Sequence, residues 1–338
     1  MADDHDDVVM SEQELSDSSS STRSTERTLS GTSGEYMPVD EDSPPQSEDD
    51  WVAPEPEEYI SEFADSPLEV FTQLGAEGDW AVHLPDNDDR ICSSFRDDMF
   101  PMYEYVFREM RLRLPFSDFQ IAVFNHLELS PSQLHPNSFG FIKAFELTCE
   151  YLKIGATIPL FFYLFHLQRH TVGNRFGWVS LKQVKKVFEA FSESIRTFKT
   201  RYFLVSPVSE KARESCFYWE ELKDVDGQPL LSKAGKPRRK CYARFRFTWS
   251  REHFDRAPSE YFTKFGDLSP EDKSSYDTLV NFVDSFSPAQ WETKKGELIC
   301  DRDGTVVVEP HFIEIAELLA CETHEDAMKL LGSLYFVF

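Results

Sequence analysis

The hydrophobic positions between residues 112 and 200 recur with a helical period. In the first segment the apolar residues fall on one helix face: Phe116, Phe119, Val123 and Leu127. A helix here would begin after Ser117, whose hydroxyl makes it a favourable N-cap. The stretch 130–136 interrupts the pattern, because its serines and prolines favour a turn.

Two further helices are predicted after this turn. The first would be capped by Asn137 or Ser138 and would stop near Gly155. Its apolar stripe consists of Ile142, Phe145, Cys149 and Leu152. The next would span residues 159–169, with Pro159 tolerated in its first turn. We expect His135, in the turn, to be a structural residue that bonds free backbone groups.

A fourth helix is predicted from the most regular apolar spacing in the chain. The spaced residues are Leu181, Val184, Phe188, Phe191, Ile195 and Phe198. They alternate at three- and four-residue steps, and Ser180 could cap the helix they define. The segment contains too few heptads for a coiled coil, so the pattern favours a helix facing the core.

After residue 201 the pattern becomes one of β-strands. Strands are predicted at 202–205, 216–222 and 241–249. In the last, Ala243, Phe245, Phe247 and Trp249 alternate with Tyr242, Arg244, Arg246 and Thr248. This alternation predicts a half-buried strand with an apolar face and a basic face.

Capping, turn and periodicity signals of the same kind predict the C-terminal elements and the fold class. A helix is predicted to start at Ser269-Pro270, a hairpin turn at Asp303-Gly304, and short helices near 312–319 and 323–334. No internal repeat is evident. We therefore expect a helix-dominated α+β domain with short β-hairpins over residues 67–338.

Charge separates the first 66 residues from the rest. They contain 20 Asp and Glu against 2 Arg, a balance of −18, within Ser- and Pro-rich sequence. The remaining residues carry 40 acidic and 33 basic side chains, a balance of −7. Residues 1–66 are thus expected to be a disordered acidic tail. Their few apolar residues cannot bury enough surface to offset the entropy that the backbone loses on folding. Ser11 and Ser47 each precede an acid by three residues, which predicts phosphorylation there.

The cysteines and the hydropathy of the chain indicate its cellular location. The six cysteines are dispersed, with no closely spaced pair, which favours reduced and mostly buried thiols. No signal peptide is evident, and the apolar run 158–167 is too short to span a membrane. We expect an intracellular protein, cytoplasmic or nuclear, without a membrane partner.

No catalytic, cofactor or metal site is predicted. Asp303-Gly304-Thr305 has the wrong order for an aspartic protease loop, and Asp97-Asp98 lacks a supporting context. Spacing alone leaves open a transposase-like acidic triad. His166 and His170 would lie on one helix face, but without a third ligand they are interpreted as a surface pair.

One basic stretch stands out, and no acid interrupts it. Its eight cationic residues are Lys233, Lys236, Arg238, Arg239, Lys240, Arg244, Arg246 and Arg251. Interleaved aromatics make the stretch suited to a phosphate backbone and exposed bases. On the predicted strand, Arg244 and Arg246 would share the polar face with Tyr242 as a stacking platform. The alternatives are a nuclear import patch, a solvated hairpin whose aromatics enter the core, or a contact for the acidic tail.

The chain resembles a known family over about residues 95–285. The most telling residues are Leu114-Pro115-Phe116, the block 132–138 (SQLHPNS), Phe141, Ala144-Phe145-Glu146 and Cys149-Glu150. Further similarity is carried by Phe161-Phe162, Gly177-Trp178-Val179-Ser180-Leu181 and Phe198-Lys199, and more weakly by 202–205 and 217–219. These residues resemble the putative gypsy-type transposon domain of plant proteins, also called plant retrotransposon gag-like.

The resemblance implies a plant retroelement origin, but it implies no mechanism and supplies no catalytic residues to carry over. A non-enzymatic, gag-like structural or assembly protein that self-associates is the first hypothesis. A nucleic-acid-binding or transposase-derived protein, with single-stranded RNA or DNA as partner, is the second. The absence of a CCHC zinc knuckle from the sequence departs from a complete nucleocapsid pattern.

Overall fold

A computed structural model describes most of the chain beyond the acidic segment. The described residues are 72, 77–86, 89–169, 177–189, 198–290 and 297–334. The predicted disordered tail, with Ser11 and Ser47, lies outside them, as does His170.

Helices contribute more residues than strands. The α-helices are α1 (Glu104–Arg108), α2 (Asp118–Leu127), α3 (Pro136–Leu152), α4 (Ile158–Leu164), α5 (Glu210–Cys216), α6 (Glu252–Asp255), α7 (Pro270–Asp284), α8 (Ile315–Ala320) and α9 (His324–Leu334). Within the part of the chain that the structure covers, no helix has the length and apolarity to cross a membrane.

The strands are short and form small separate sheets. They are β1 (Trp80–His83), β2 (Phe100–Tyr103), β3 (Phe165–Arg169), β4 (Val179–Gln183), β5 (Phe188–Glu189), β6 (Tyr202–Pro207), β7 (Phe217–Glu221), β8 (Arg239–Ala243), β9 (Ala289–Gln290), β10 (Val308–Glu309) and β11 (Ile313–Glu314). Helices mixed with short antiparallel pairs confirm the expected helix-dominated α+β fold.

The largest sheet has three antiparallel strands in the order β1-β6-β2. Its central strand, β6, is buried along its whole length, which suits its run of β-favouring residues. Val205 lies opposite Val82 on one side and Phe100 on the other. The strand predicted at 202–205 is thereby confirmed.

Helix α2 begins as predicted, and α3 begins two or three residues earlier than predicted. The Ser117 hydroxyl accepts a hydrogen bond from the Gln120 amide at 3.0 Å and caps α2. The N-cap of α3 is His135, not Asn137 or Ser138, and its Nδ1 accepts from the Asn137 amide at 3.3 Å. The ring also packs edge-on against Phe198, and the expected bond between His135 and a backbone group is confirmed.

The end of α3 departs from the prediction. The helix stops at Leu152, and Lys153 adopts the left-handed conformation with φ 56°. This is the conformation in which glycine usually ends a helix. Gly155, two residues later, was therefore the wrong stop.

The predicted helix 159–169 is only half correct. Helix α4 ends at Leu164, and the chain continues directly into β3, which pairs antiparallel with β4. Residues of β3 alternate between buried and half-buried, and the partner strand supplies the backbone hydrogen bonds. His166 thus lies on a strand, stacked on Phe262 at 3.6 Å, and the predicted helical histidine pair is wrong.

The predicted helix 181–198 is wrong where the structure describes it. Leu181 belongs to β4 and Phe188 to β5, whereas Val184 is 57% exposed at the bend between them. Leu181 and Phe188 are buried by different partners, β3 and β11. The helical spacing therefore came from separate short elements whose apolar residues reach one core.

An aromatic cluster fills the centre of that core. The Phe161 ring lies 4.6 Å from Phe165, 5.1 Å from Phe145 and 5.5 Å from Phe119. These residues come from α4, β3, α3 and α2. The cluster thus packs together elements from different parts of the chain, most of which are short.

The C-terminal elements agree with the sequence. Ser269 caps α7 by accepting from the Asp272 amide at 3.0 Å. Gly304 occupies the left-handed region with φ 82° in a turn closed by the Cys300–Val306 bridge. Helices α8 and α9 follow close to their predicted positions.

Phe188→Ala should destabilise the fold strongly. The side chain is fully buried, so its loss removes apolar contact and leaves a cavity costing about 3–5 kcal/mol. Denaturant unfolding measures the difference. Val184→Ala, at the exposed bend, is the matched control and should change stability by less than about 0.5 kcal/mol. A loss under about 1 kcal/mol for Phe188→Ala would contradict the structure.

Candidate nucleic-acid interface

The predicted strand 241–249 divides into two parts with different roles. Its first residues belong to β8, and residues 244–249 continue as irregular chain. The predicted burial alternation persists, because Phe245, Phe247 and Trp249 are buried. Ala243, expected on the same apolar face, is exposed instead.

The buried aromatics attach this segment to the central sheet. Phe245 lies 5.3 Å from Phe100 and 5.2 Å from Phe116 between ring centroids. Phe247 lies 5.2 Å from Phe100. The prediction that Phe245 and Phe247 point into the core is confirmed.

Buried hydrogen bonds fix the end of the segment. The Gln133 amide donates to the Ser250 carbonyl at 2.8 Å and accepts from the Ser250 amide at 2.9 Å. The Trp249 indole donates to the Ser132 hydroxyl at 2.9 Å. These groups are buried, so losing one partner would leave another unsatisfied.

Residues 217–243 form a projection that we call the arm. Strands β7 and β8 make its stem, and residues 223–241 are exposed throughout. Beyond the stem are two short hairpins, closed by the Lys223–Pro229 and Leu231–Pro237 bridges.

Three backbone hydrogen bonds form a closed cycle where the stem meets these hairpins. The Leu222 amide donates to the Arg238 carbonyl at 2.9 Å, and the Arg238 amide donates to the Leu230 carbonyl at 2.7 Å. The Leu230 amide completes the cycle by donating to the Leu222 carbonyl at 2.7 Å. Each residue donates once and accepts once, so the cycle fixes how the three hairpins meet.

The two outer hairpins share one turn design, eight residues apart. In the first, the Asp224 carboxylate accepts from the Gln228 amide at 2.9 Å, and Gly227 has φ 79°. In the second, the Ser232 hydroxyl accepts from the Lys236 amide at 3.2 Å, and Gly235 has φ 76°. The side chain at the first position thus supports a left-handed glycine three residues later.

The outer hairpins differ in charge. Asp224 and Asp226 lie in the first turn, whereas Lys233 and Lys236 lie in the second. Among the residues that the structure describes, Lys233, Lys236 and Arg238 form no ion pair with an acid. These exposed cations form the part of the predicted basic patch that is available to an anionic partner.

The fold gives other members of the patch acidic partners. Arg239 pairs with Glu221 at 3.1 Å, Arg244 with Asp118 at 2.7 Å, and Arg246 with Glu252. Arg251 stands at the N-cap of α6. The eight predicted cations therefore differ in whether an acidic side chain already neutralises them. The predicted arginine-led strand face, with Arg244 and Arg246 beside Tyr242, is wrong because both arginines lie beyond β8.

The aromatic side chains of the stem occupy both of its faces. Tyr218 and Tyr242 stack across the strands at 5.6 Å, with the Lys240 ammonium 4.9 Å from the Tyr242 ring centre. Tyr242 is thus already covered on one side. Trp219, opposite Cys241, is 67% exposed and is the better platform for a flat ligand.

Sequence reasoning missed Trp219, although a signal was present. Phe217 and Trp219 are two apart on β7 and share a face. The Phe217 ring meets Phe247 at 5.3 Å, where the strand leaves the core. The next residue on that face, Trp219, lies beyond the core and is solvated.

A buried histidine behind the anchoring segment adds no charge to the interface. Burial and, to a smaller extent, the nearby Arg169 guanidinium together lower the pKa of His253 to about 3. Arg169 donates to the carbonyls of His253 and Arg256. His253 is accordingly neutral near neutral pH, and the positive charge remains with the exposed arm.

Comparison with known proteins gives one match. The family described as "Putative gypsy type transposon" matches residues 103–169, from the end of β2 to the end of β3. This confirms the resemblance over those residues, which lie within the expected range 95–285. No curated protein and no solved structure matches. The described ranges also contain no group of three His, Cys, Asp or Glu side chains placed to hold a metal ion.

Gly235→Ala should loosen the arm without unfolding the body. Alanine at a left-handed φ costs about 1–2 kcal/mol, and the exposed arm can open locally. Trypsin should then cut at residues 233–240 roughly 5- to 30-fold faster, with little change in the melting temperature. Gly266→Ala, where an added Cβ meets nothing within 4 Å, is the control. Unchanged cleavage would contradict the turn geometry.

Proposed function

We propose that this chain is a non-enzymatic, gag-like retroelement protein that binds single-stranded nucleic acid through its arm. The match of residues 103–169 to the gypsy-type transposon family supports the retroelement part. The observation that carries the binding part is the exposed arm, which has both cations without an acidic partner and an exposed tryptophan.

The cations suit a phosphate backbone. Lys233, Lys236 and Arg238 are exposed, so bringing a phosphate to them requires little desolvation of protein. Each contact releases counterions from the nucleic acid, which makes binding favourable and strongly dependent on salt. Arg244 and Arg246 contribute less, because Asp118 and Glu252 already neutralise them.

The aromatics favour unpaired bases. Bases stack on flat side chains through their π-faces, which every base has, so the contact tolerates any sequence. Trp219 offers such a face, and the Tyr218–Tyr242 stack lies on the opposite side of the stem. A single strand can unstack its bases onto Trp219, whereas a duplex keeps them inside. We therefore expect the arm to prefer single strands over duplexes.

Neutralising the free cations should reduce the salt slope of binding. Lys233→Gln, Lys236→Gln and Arg238→Gln together should remove about 2 units, at roughly 0.7 per phosphate contact on single strands. Fluorescence titration of a labelled oligonucleotide at several salt concentrations gives the slope. The matched control is Arg244→Gln with Arg246→Gln, which should change the slope less per residue. Equal changes in the salt slope per replaced residue for the two sets, or no binding at low salt, would refute the proposal.

Self-association, the other gag-like property, is favoured by apolar side chains on the same arm. Val225, Leu230 and Leu231 are exposed there, and apolar groups gain free energy when a second surface covers them. We expect the apparent mass in size-exclusion chromatography to rise with protein concentration. Leu231→Ser should weaken that rise, and Leu84→Ser, at an exposed site in the body, should not. A constant monomer mass would exclude this role.

A further inference from the structure

We infer that residues 48–66 of the chain bind back onto the arm. The interaction uses the surface assigned above to nucleic acid, but it requires no nucleic acid and can be tested without any. Charge, chain connectivity and apolar composition each point to it.

The charges of the two segments are opposite and dense. Residues 48–66 contain eight acidic side chains and no Lys or Arg. Residues 233–240 contain five cations and no acid: Lys233, Lys236, Arg238, Arg239 and Lys240. All five are exposed, and such opposed segments attract across about 8–10 Å at moderate salt.

The chain enters the fold beside the arm. Thr72 forms a bridge with Leu114, two residues before Phe116, whose ring lies 5.2 Å from Phe245. Phe245 follows the end of the arm by two residues. The acidic segment is thus connected to the body close to the base of the arm.

A second contact also places the N-terminal part of the fold near the base of the arm. The Asp79 carbonyl accepts from the Val208 amide at 2.7 Å and the Ser209 amide at 3.2 Å. Ser209 caps α5, which runs directly into the stem strand β7. Helix α5 is about 10 Å long, so Asp79 lies within a short distance of the arm.

These distances are well within the reach of the connecting residues. Five residues, 67–71, lie between Ser66 and Thr72, and the six extended steps from one to the other span up to about 20 Å. A short tether of this kind gives an effective concentration on the order of millimolar. Even a weak attraction between the segments would then keep them together for much of the time.

Apolar residues distinguish this segment from the other acidic stretches. Residues 48–66 contain Trp51, Tyr59, Ile60 and Phe63, whereas residues 1–20 contain no aromatic side chain. The arm exposes Trp219 and Leu231 in addition to its cations. Acidic groups spaced among aromatics therefore match a surface that combines cations with exposed apolar side chains.

The consequence is competition for the arm. A phosphate backbone would have to displace the carboxylates of residues 48–66 from Lys233 and Lys236. Ser47 directly precedes the segment, and a phosphate there would add further negative charge. Occupation of the arm by its own chain would thus lower its apparent affinity for nucleic acid.

Zero-length carbodiimide cross-linking of the full chain tests the inference. The reagent joins a carboxylate to an adjacent lysine, and peptide mass spectrometry locates the joined residues. We expect Lys233 and Lys236 to be joined mainly to residues 48–66 at low salt. These links should be lost at roughly 1 M salt, where screening shortens electrostatic reach to about 3 Å. Lys182 and Lys185, exposed elsewhere, serve as internal controls.

Variants and isotope mixing make the result decisive. Glu55→Gln, Glu57→Gln and Glu58→Gln together should lower the arm links several-fold and leave links at Lys182 unchanged. A mixture of ¹⁵N-labelled and unlabelled chains separates links within one chain from links between two. Links that join two chains, or that fall equally on Lys182 and Lys185, would overturn the inference. Because no nucleic acid is present, failure here leaves the proposed binding function standing, and the converse also holds.

Discussion

The position of the arm depends on one contact, the packing of Phe245 and Phe247 on Phe100 of the central sheet. The arm itself is solvated and contributes little buried area. Where the chain returns after residue 243, Phe245 and Phe247 enter the core and Phe217 of the other stem strand packs on Phe247, and the Gln133–Ser250 hydrogen bonds fix the direction of the returning segment. A rigid base therefore supports an exposed surface, which separates the requirements of folding from those of binding.

Local signals predicted the fold well where side chains act on their own backbone. The caps at Ser117 and Ser269 and the turn at Gly304 follow from short-range hydrogen bonding and backbone conformation, and all are present. The helix expected at 181–198 failed for the opposite reason. Its period reflected burial against two different strands, β3 shortly before the segment and β11 far later in the chain. The spacing of apolar residues indicates which residues are buried. Whether the backbone there is helix or strand depends on the elements that pack against it.

The candidate interface shows the same division. The cations of the basic stretch and the inward direction of Phe245 and Phe247 could be read from the sequence. Their grouping could not, since Asp118 lies 126 residues before the Arg244 that it neutralises. Trp219 was missed because its exposure depends on where the stem leaves the body, a property of the packed structure. Sequence thus identified the charges, and the fold determined which of them remain unpaired.

The cycle of hydrogen bonds among Leu222, Leu230 and Arg238 has a consequence for how the arm can change in length. Each outer hairpin leaves the cycle and returns to it eight residues later with the same backbone bonding. A tip of different length or chemistry could therefore replace either one without disturbing the stem or the body. Exposed tips joined at a fixed base tolerate insertions best. The arm is accordingly the place where related chains, or an engineered fusion, could gain a new segment while keeping the fold.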